Sequence, residues 1–381
     1  MLLKNAKIVL ENKIIENGWI EIKDSKIFKI NENSTNRDGI DLNGNWLLPG
    51  FIDCHVHGGY GVDFETGDKD RFATFAKNVV KEGVTSYIQS SVTNSDEKNL
   101  KILQEFQEFQ NSQNLFGAKC LGVHLEGPFI SNEKKGAHQT SLLKTPSITN
   151  LENIIKNNKN LIKIITFAPE LQNGDFTKYL IKNNIIPSAG HSNIEFDQFK
   201  KDYQLGIKHI THLYNGMSGV NHQNPGLTAA ALYYDDILCE LITDGIHINQ
   251  DILKLTYKIK GSKGICIITD AMNAKGLADG EYNLGDLEVV KTGIKVCLKN
   301  TPTLAGSAST YDHNIRVMLN LIKDMSMCDL INMSSINIAK QLNIFNETGS
   351  ITVGKKADLV VLDKNFYVLK TIVEGKVYYN K

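Results

Sequence analysis

The sequence predicts an α/β fold: a (β/α)8 TIM-type barrel with a small β-sandwich domain built from both termini. Three observations predict it. Eight apolar runs, at 47–52, 84–89, 120–125, 162–167, 184–188, 207–211, 237–242 and 265–269, recur along the middle of the chain, most of them separated by helical stretches. Residues 1–45 and 350–381 instead read as short strands and turns, with alternation of period two and no helical periodicity. Histidines and carboxylates stand just past the ends of successive runs, which is where a parallel barrel gathers its functional side chains.

The elements follow in order. KNAKIVL, GWIEIKDSKIFKI and the turn Asn43-Gly44-Asn45 open the chain, and SITVGKKADLVVLD, FYVLKTIVEG and KVYYN close it in the same style. Residues 1–46 and 348–381 are therefore assigned to the small β domain and 47–347 to the barrel; in the competing reading each end simply extends the barrel. Asp70 to Glu82 carries Phe72, Phe75, Ala76, Val79 and Val80 on one face and stops at Gly83, an ordinary helix stop. Ile148, Leu151, Ile154 and Ile155 mark another amphipathic face, and Ser192 with Glu195 has the spacing of a capping box for the helix ending before Gly206. Residues 280–300 interrupt the rhythm as a hairpin after the eighth strand, and helical material runs from Tyr311 to Leu342. An open doubly wound sheet is the rival architecture, but it would not bring the ends of strands one, three, five, six and eight to a common point.

A chain of 381 residues fits one barrel with a modest addition. Lys+Arg and Asp+Glu both number 42, so no global basic field is available to hold nucleic acid or anionic lipid, and an anionic small substrate has to be met by local groups. The six cysteines (54, 120, 239, 266, 297, 328) sit singly, without a CxxC pair, and read as free thiols in a reducing cytosol. Cys54 is expected to point away from the site while its neighbours point in. No signal peptide and no membrane-length apolar stretch is seen, so a cytoplasmic protein is expected.

The chemistry lies at the run ends. His55 and His57 are two apart, so in extended geometry both face one side and can reach one cation. Glu126 follows KCLGVHL, where a carboxylate is costly unless paired or metal-bound. With His191 and His212 it makes a three-ligand set that leaves a position for water. His124 and His209 fall earlier on their strands and are assigned to packing. Asp270 ends the eighth run; water on a zinc ion loses about eight pKa units, and a neighbouring carboxylate can take its proton and deliver it to a leaving amine. Such ligands suit one or two divalent ions of zinc, iron, manganese or cobalt.

PGFIDCHVHG (49–58) and GSITVGKKADLVVLD (349–363) resemble the amidohydrolase superfamily. HLEGPFI (124–130), KKGAHQ (134–139), AGHS (189–192), THLYNGMSG (211–219), DGIHI (244–248) and TDAM (269–272) resemble, within it, the N-acetylglucosamine-6-phosphate deacetylases. The resemblance implies hydrolysis of N-acetylglucosamine-6-phosphate to glucosamine-6-phosphate and acetate, in amino sugar catabolism. It implies Glu126, His191 and His212 as principal metal ligands, His55 and His57 as the pair that holds a second metal where present, and Asp270 as acid/base. His138 matches the residue that hydrogen-bonds the substrate carbonyl, and Asn215 and Gly216 the loop whose backbone N–H groups meet the phosphate. His247 matches a histidine offered to the phosphate by the neighbouring subunit of a homodimer whose subunits complete one another's sites. One departure stands out: Gln223 occupies the place of an arginine that usually reaches the partner's phosphate, and a neutral amide does not equal a bidentate guanidinium. His222 beside it can partly substitute when protonated. The alternatives are therefore another N-acetylhexosamine (the galactosamine epimer or an unphosphorylated sugar), a different cyclic or acyl amide, or a catalytically silent sugar-binding homologue.

Overall fold

A computed structural model of the chain describes residues 1–112 and 116–381. Eight parallel strands form the centre: β1 (Phe51–Val56), β2 (Val84–Ser91), β3 (Lys119–Glu126), β4 (Ile162–Phe167), β5 (Ile186–Ala189), β6 (His209–Ile210), β7 (Leu238–Ile242) and β8 (Ile265–Ile268). They pair in sequence order from β1 to β8. The ends close at the C-terminal mouth, where the Asp270 N–H donates to the His55 carbonyl at 2.9 Å and the His57 N–H to the Ala271 carbonyl at 2.8 Å. Just below, Thr269 Oγ1 donates to the Asp53 carboxylate at 2.6 Å, and burial pushes that carboxyl up to about 6.

Alternation along the strands separates two cores. Ile52, Ile88, Ile164, Leu238, Ile242 and Ile268 fill the barrel interior, while Phe51, Val84, Val123, Leu125, Ile165 and Phe167 pack outward. The N-terminal mouth is plugged by residues 332–342: Ser335 Oγ donates to the Gly50 carbonyl at 2.9 Å, and Ile338 and Ala339 join the interior cluster. The mouth opposite is left for polar groups.

The expected 47–52 run is divided. Trp46–Pro49 joins the terminal sheet, and Phe51–Val56 begins the barrel. The sheet runs through Lys376–Asn380, Val368–Val373, Leu359–Leu362, Trp46–Pro49, Leu2–Val9, Ile14–Lys23 and Lys26–Asn31, with Ile40–Asp41 also beside Leu2–Val9. Lys26 bridges back to Lys356, next to the Leu359–Leu362 strand, so the sheet folds over a core that includes Leu3, Ile8, Ile20, Leu47, Leu359 and Ile372.

Two local readings change. The capping box does not form: Glu195 is the N-cap of the helix Phe196–Leu205 without a side-chain cap bond, and Ser192 Oγ donates to Glu170 Oε2 at 2.6 Å instead. The expected 280–300 hairpin is a four-stranded antiparallel sheet, Gly280–Leu284, Leu287–Thr292, Lys295–Leu298 and Leu304–Ser307, sitting over the mouth on its own core of Val92, Met272, Leu284, Val289 and Val296. The material from Tyr311 onward breaks into helices Tyr311–Leu321, Met327–Ile331 and Asn337–Gln341, with a π-helical turn at Asn332–Ile336.

Candidate metal centre and active site

Glu126 ends β3 and is 3% exposed. Its two oxygens face two different groups. Oε1 lies 2.7 Å from His212 Nε2 and 3.1 Å from His191 Nε2, and those two nitrogens are 3.1 Å apart. Oε2 lies 3.1 Å from His57 Nε2 and 3.4 Å from His55 Nε2, which are 3.2 Å from each other. Asp270 Oδ1 completes the second group at 3.1 Å from His57 Nε2 and 3.6 Å from His55 Nε2. Each group fits within the span of one ion's ligands, and Glu126 belongs to both.

The strand ends aim these side chains by unusual backbone. His191, His212 and Asp270 each stand two residues past a strand, and all three have left-handed φ, of 46°, 26° and 49°. Such conformations are costly for residues with a Cβ and collect at functional sites, where the surroundings hold them. Gly136 and Gly216 flank the His191 ring; a Cβ on Gly216 would stand 2.8 Å from His191 Nδ1.

The donor chemistry fits divalent ions. His55 Nδ1 faces Glu240 Oε2 at 2.9 Å, and His191 Nδ1 faces the Lys134 carbonyl at 2.7 Å, so each Nδ1 carries the proton and each Nε2 lone pair points inward. His57 Nδ1 and His212 Nδ1 are buried with no hydrogen-bond partner among the described residues, so those rings have polar anchors only at Nε2. Imidazole lone pairs converging at 3.1–3.2 Å repel one another unless a cation or shared protons stand among them. Burial would raise the Glu126 carboxyl, yet His55, His191 and His212 hold it well below the usual carboxylate range.

His138 approaches from the 134–139 loop, its Nε2 4.0 Å from Glu126 Oε2. The Thr93 N–H donates to His138 Nδ1 at 3.2 Å, and a backbone N–H can only donate, so the neutral ring carries its hydrogen on Nε2. Burial, together with the neighbouring His191, pushes the imidazole down to about 3, which keeps it neutral at physiological pH. A neutral donor therefore points at the Glu126 groups.

These residues share one cavity of about 410 Å³. His57, Glu126, His138, His191, His212 and Asp270 line it, and Asn215, Gly216 and His247 line it as well. Leu284, Pro302, Thr303 and Leu304 of the inserted sheet form a wall. Its size suits a small-molecule ligand.

Three expectations are modified, and one residue pair falls outside the cavity. His247, expected at a neighbouring subunit's site, lines its own chain's cavity, where Asp244 Oδ2 holds its Nδ1 at 2.7 Å. The Asn215 N–H is already donated to the His212 carbonyl at 2.9 Å, whereas the Gly216 N–H has no bond among the described residues. His222 and Gln223 are exposed on a turn held by Asn221 Oδ1 and do not line the cavity. Cys54, expected to point away, faces the barrel interior, its Sγ 3.6 Å from Cys266 Sγ and 3.8 Å from Glu240 Oε1. Cys54 shares the face of Ile52, two residues earlier, and the irregularity in the β1–β2 register between Asp53 and Val56 brings His55 to the interior as well.

His124 Nε2 bonds Thr166 Oγ1 at 2.7 Å, and His209 bridges Glu240 Oε1 at 2.9 Å and Gln341 Oε1 at 2.6 Å, so both pack below the site as expected. Two contributors escaped the sequence reading. Glu240 was legible as the one charge inside ILCELI; Thr93 carried no signal.

Comparisons with known proteins find similar chains and similar folds. An N-acetylglucosamine-6-phosphate deacetylase of Bacillus subtilis (strain 168) is 36% identical over 99% of this chain and 96% of its own. The crystal structure of an N-acetylglucosamine-6-phosphate deacetylase from Thermotoga maritima superposes with a TM-score of 0.90 at 35% identity, covering 100% of both chains. A point mutant of the Mycobacterium smegmatis deacetylase, solved with N-acetyl-D-glucosamine-6-phosphate bound, superposes with a TM-score of 0.93 at 26% identity over 100% of this chain and 99% of that one. The family model described as "Amidohydrolase family" matches residues 46–378, and the chain belongs to that family.

Proposed function

We propose that the protein is a metal-dependent hydrolase that removes the acetyl group from N-acetylglucosamine-6-phosphate. The observation that carries this reading is the convergence, in one cavity, of two histidine groups sharing Glu126, a carboxylate at Asp270 and a neutral donor at His138. The activity for which the relatives are named supports it.

Glu126, His191 and His212 would hold one divalent ion, and His55 and His57, with Glu126 and Asp270, a second; such ions polarise a water and a carbonyl oxygen. Asp270 accepts a proton from the attacking water and returns it to the amide nitrogen as the C–N bond breaks. His138 Nε2–H donates to the carbonyl oxygen as negative charge develops on it. The Gly216 N–H and the Asp244-oriented His247 are the groups offered to the phosphate. Water adds to the carbonyl carbon, and acetate and the amine leave. Zinc, iron, manganese and cobalt all suit the ligand set.

We assign the working form to a homodimer. On the helix Gln250–Lys260, Ile252, Leu255 and Ile259 are 37%, 47% and 44% exposed at helical spacing, an apolar stripe that a second copy would cover. The exposed His222–Gln223 turn would then be offered to the partner's cavity. The six unpaired cysteines support a cytoplasmic location.

The test is Asp270→Asn. Turnover should fall by about 10²–10⁴ while the ion of the Glu126, His191 and His212 group is retained, and near-parental turnover would sink the proposed role. Gln223 favours one second reading, a different N-acetylhexosamine. Equal kcat/KM for N-acetylglucosamine and its 6-phosphate would overturn the phosphate reading, and preference for the galactosamine epimer would establish the alternative.

A further inference from the structure

Beneath the two histidine groups lies a carboxylate with no part in the scheme above. Glu240, in the middle of β7, is wholly buried inside the barrel. Its Oε2 accepts from His55 Nδ1 at 2.9 Å and from the His212 backbone N–H at 3.1 Å. Its Oε1 meets His209 Nε2 at 2.9 Å, and its own carbonyl accepts the Leu213 N–H at 2.9 Å. One residue thus touches one member of each histidine group.

The two contacts do different things. A carboxylate accepts only, so His55 is held with hydrogen on Nδ1 and its lone pair on Nε2, facing His57, Glu126 and Asp270. At His212 the contact is with main chain: Oε2 and the Glu240 carbonyl together grip the turn whose φ of 26° swings the ring toward Glu126. His209, locked between Glu240 and Gln341, fixes the carboxylate in turn.

We propose that Glu240 is a positioning residue for both metal groups, setting the tautomer of His55 and the backbone turn of His212 from below. The proposal rests on reading those groups as metal sites. It specifies reach and acceptor geometry, rather than negative charge, as what the site requires of position 240. Glutamine can keep its oxygen at the Oε2 position and turn its amide NH₂ toward His209, whose other tautomer accepts it. Aspartate keeps the charge but is one methylene too short to serve both contacts.

The experiment titrates metal-free protein with Co²⁺, by competition against a chelating indicator, for the parent and for Glu240→Gln, Glu240→Asp and Glu240→Met. Far-UV circular dichroism reports folding. The parent should bind two ions. Glu240→Gln should bind them within about threefold of the parent, while Glu240→Asp and Glu240→Met should lose about 10–100-fold in affinity, with a changed Co²⁺ absorption spectrum. If Glu240→Met fails to fold, the order of the other two decides. Parental binding by Glu240→Asp, with loss in Glu240→Gln, overturns the proposal in favour of a charge-balancing role; parental binding by all variants overturns it outright. A parent that binds no Co²⁺ instead refutes the metal reading itself.

Discussion

Lys275 is fully buried, five residues beyond Asp270 in the loop that follows β8, and its Nζ lies 3.0 Å from Glu82 Oε1. Glu82 is 2% exposed and also accepts from the Tyr60 hydroxyl and the Tyr311 N–H, both at 2.6 Å. The lysine stem crosses Gly59, where a Cβ would stand 2.7 Å from its Cε. The perturbation is Lys275→Met, which keeps the apolar stem and deletes the charge. At 3.0 Å and an effective dielectric constant of about 20 the pair attraction is about 5.5 kcal/mol. Removing one partner of a buried pair costs about 3–5 kcal/mol, because the remaining charge stays desolvated, and the two other donors to Glu82 soften the loss only in part. Urea unfolding of the metal-free protein, followed by far-UV circular dichroism, measures it. Adding Glu82→Gln should restore most of the stability, since an amide can still accept from Tyr60 or Tyr311 without carrying a charge. A Lys275→Met variant within about 0.5 kcal/mol of the parent, or a double variant weaker than both singles combined, refutes the reasoning. Because this pair anchors the Asp270 loop, kcat should fall in the single variant and recover in the double.

His138→Gln should lower kcat by about 10²–10³ with little change in metal content, as expected for one lost donor to a developing oxyanion; an unchanged kcat counts against that role. Gly216→Ala must place a Cβ 2.8 Å from His191 Nδ1 at a φ of 58°, so its metal affinity, measured by chelator competition, should fall, whereas Gly219→Ala, with nothing within 4 Å, should bind as the parent does. Leu255→Glu puts a charge in the exposed stripe and should convert dimer to monomer in light scattering with a rise in KM for the phosphorylated substrate; a persisting dimer removes that helix from the interface.

Much of this was legible because strand ends are visible in a sequence. All eight expected runs overlap a barrel strand, the first only at its last two residues, and Glu126, His191, His212 and Asp270 stand at or two residues past those ends, as a parallel barrel demands. The misreadings share a cause. The 47–52 run is continuous in hydrophobicity, yet Gly50 divides it between two sheets, since both sides of the break are buried and burial alone carries no sheet address. Ser192 has capping-box spacing, but Glu170, brought in from the end of β4, competes for its hydroxyl.

The sequence by itself determined which side chains could serve the chemistry and on which end of the barrel they stand, because periodicity and strand length set both. Tertiary structure alone decided how they combine. Closure of β8 onto β1 brings Asp270 to His57, and only then do the two oxygens of Glu126 address separate histidine groups. The register irregularity brought His55 inward beside Cys54, the path of the 244–250 loop put His247 in its own cavity, and a separate turn at Asn221 left His222 and Gln223 outside it. Those outcomes depend on distances between residues up to 216 positions apart in the chain, and no local pattern encodes a distance of that kind.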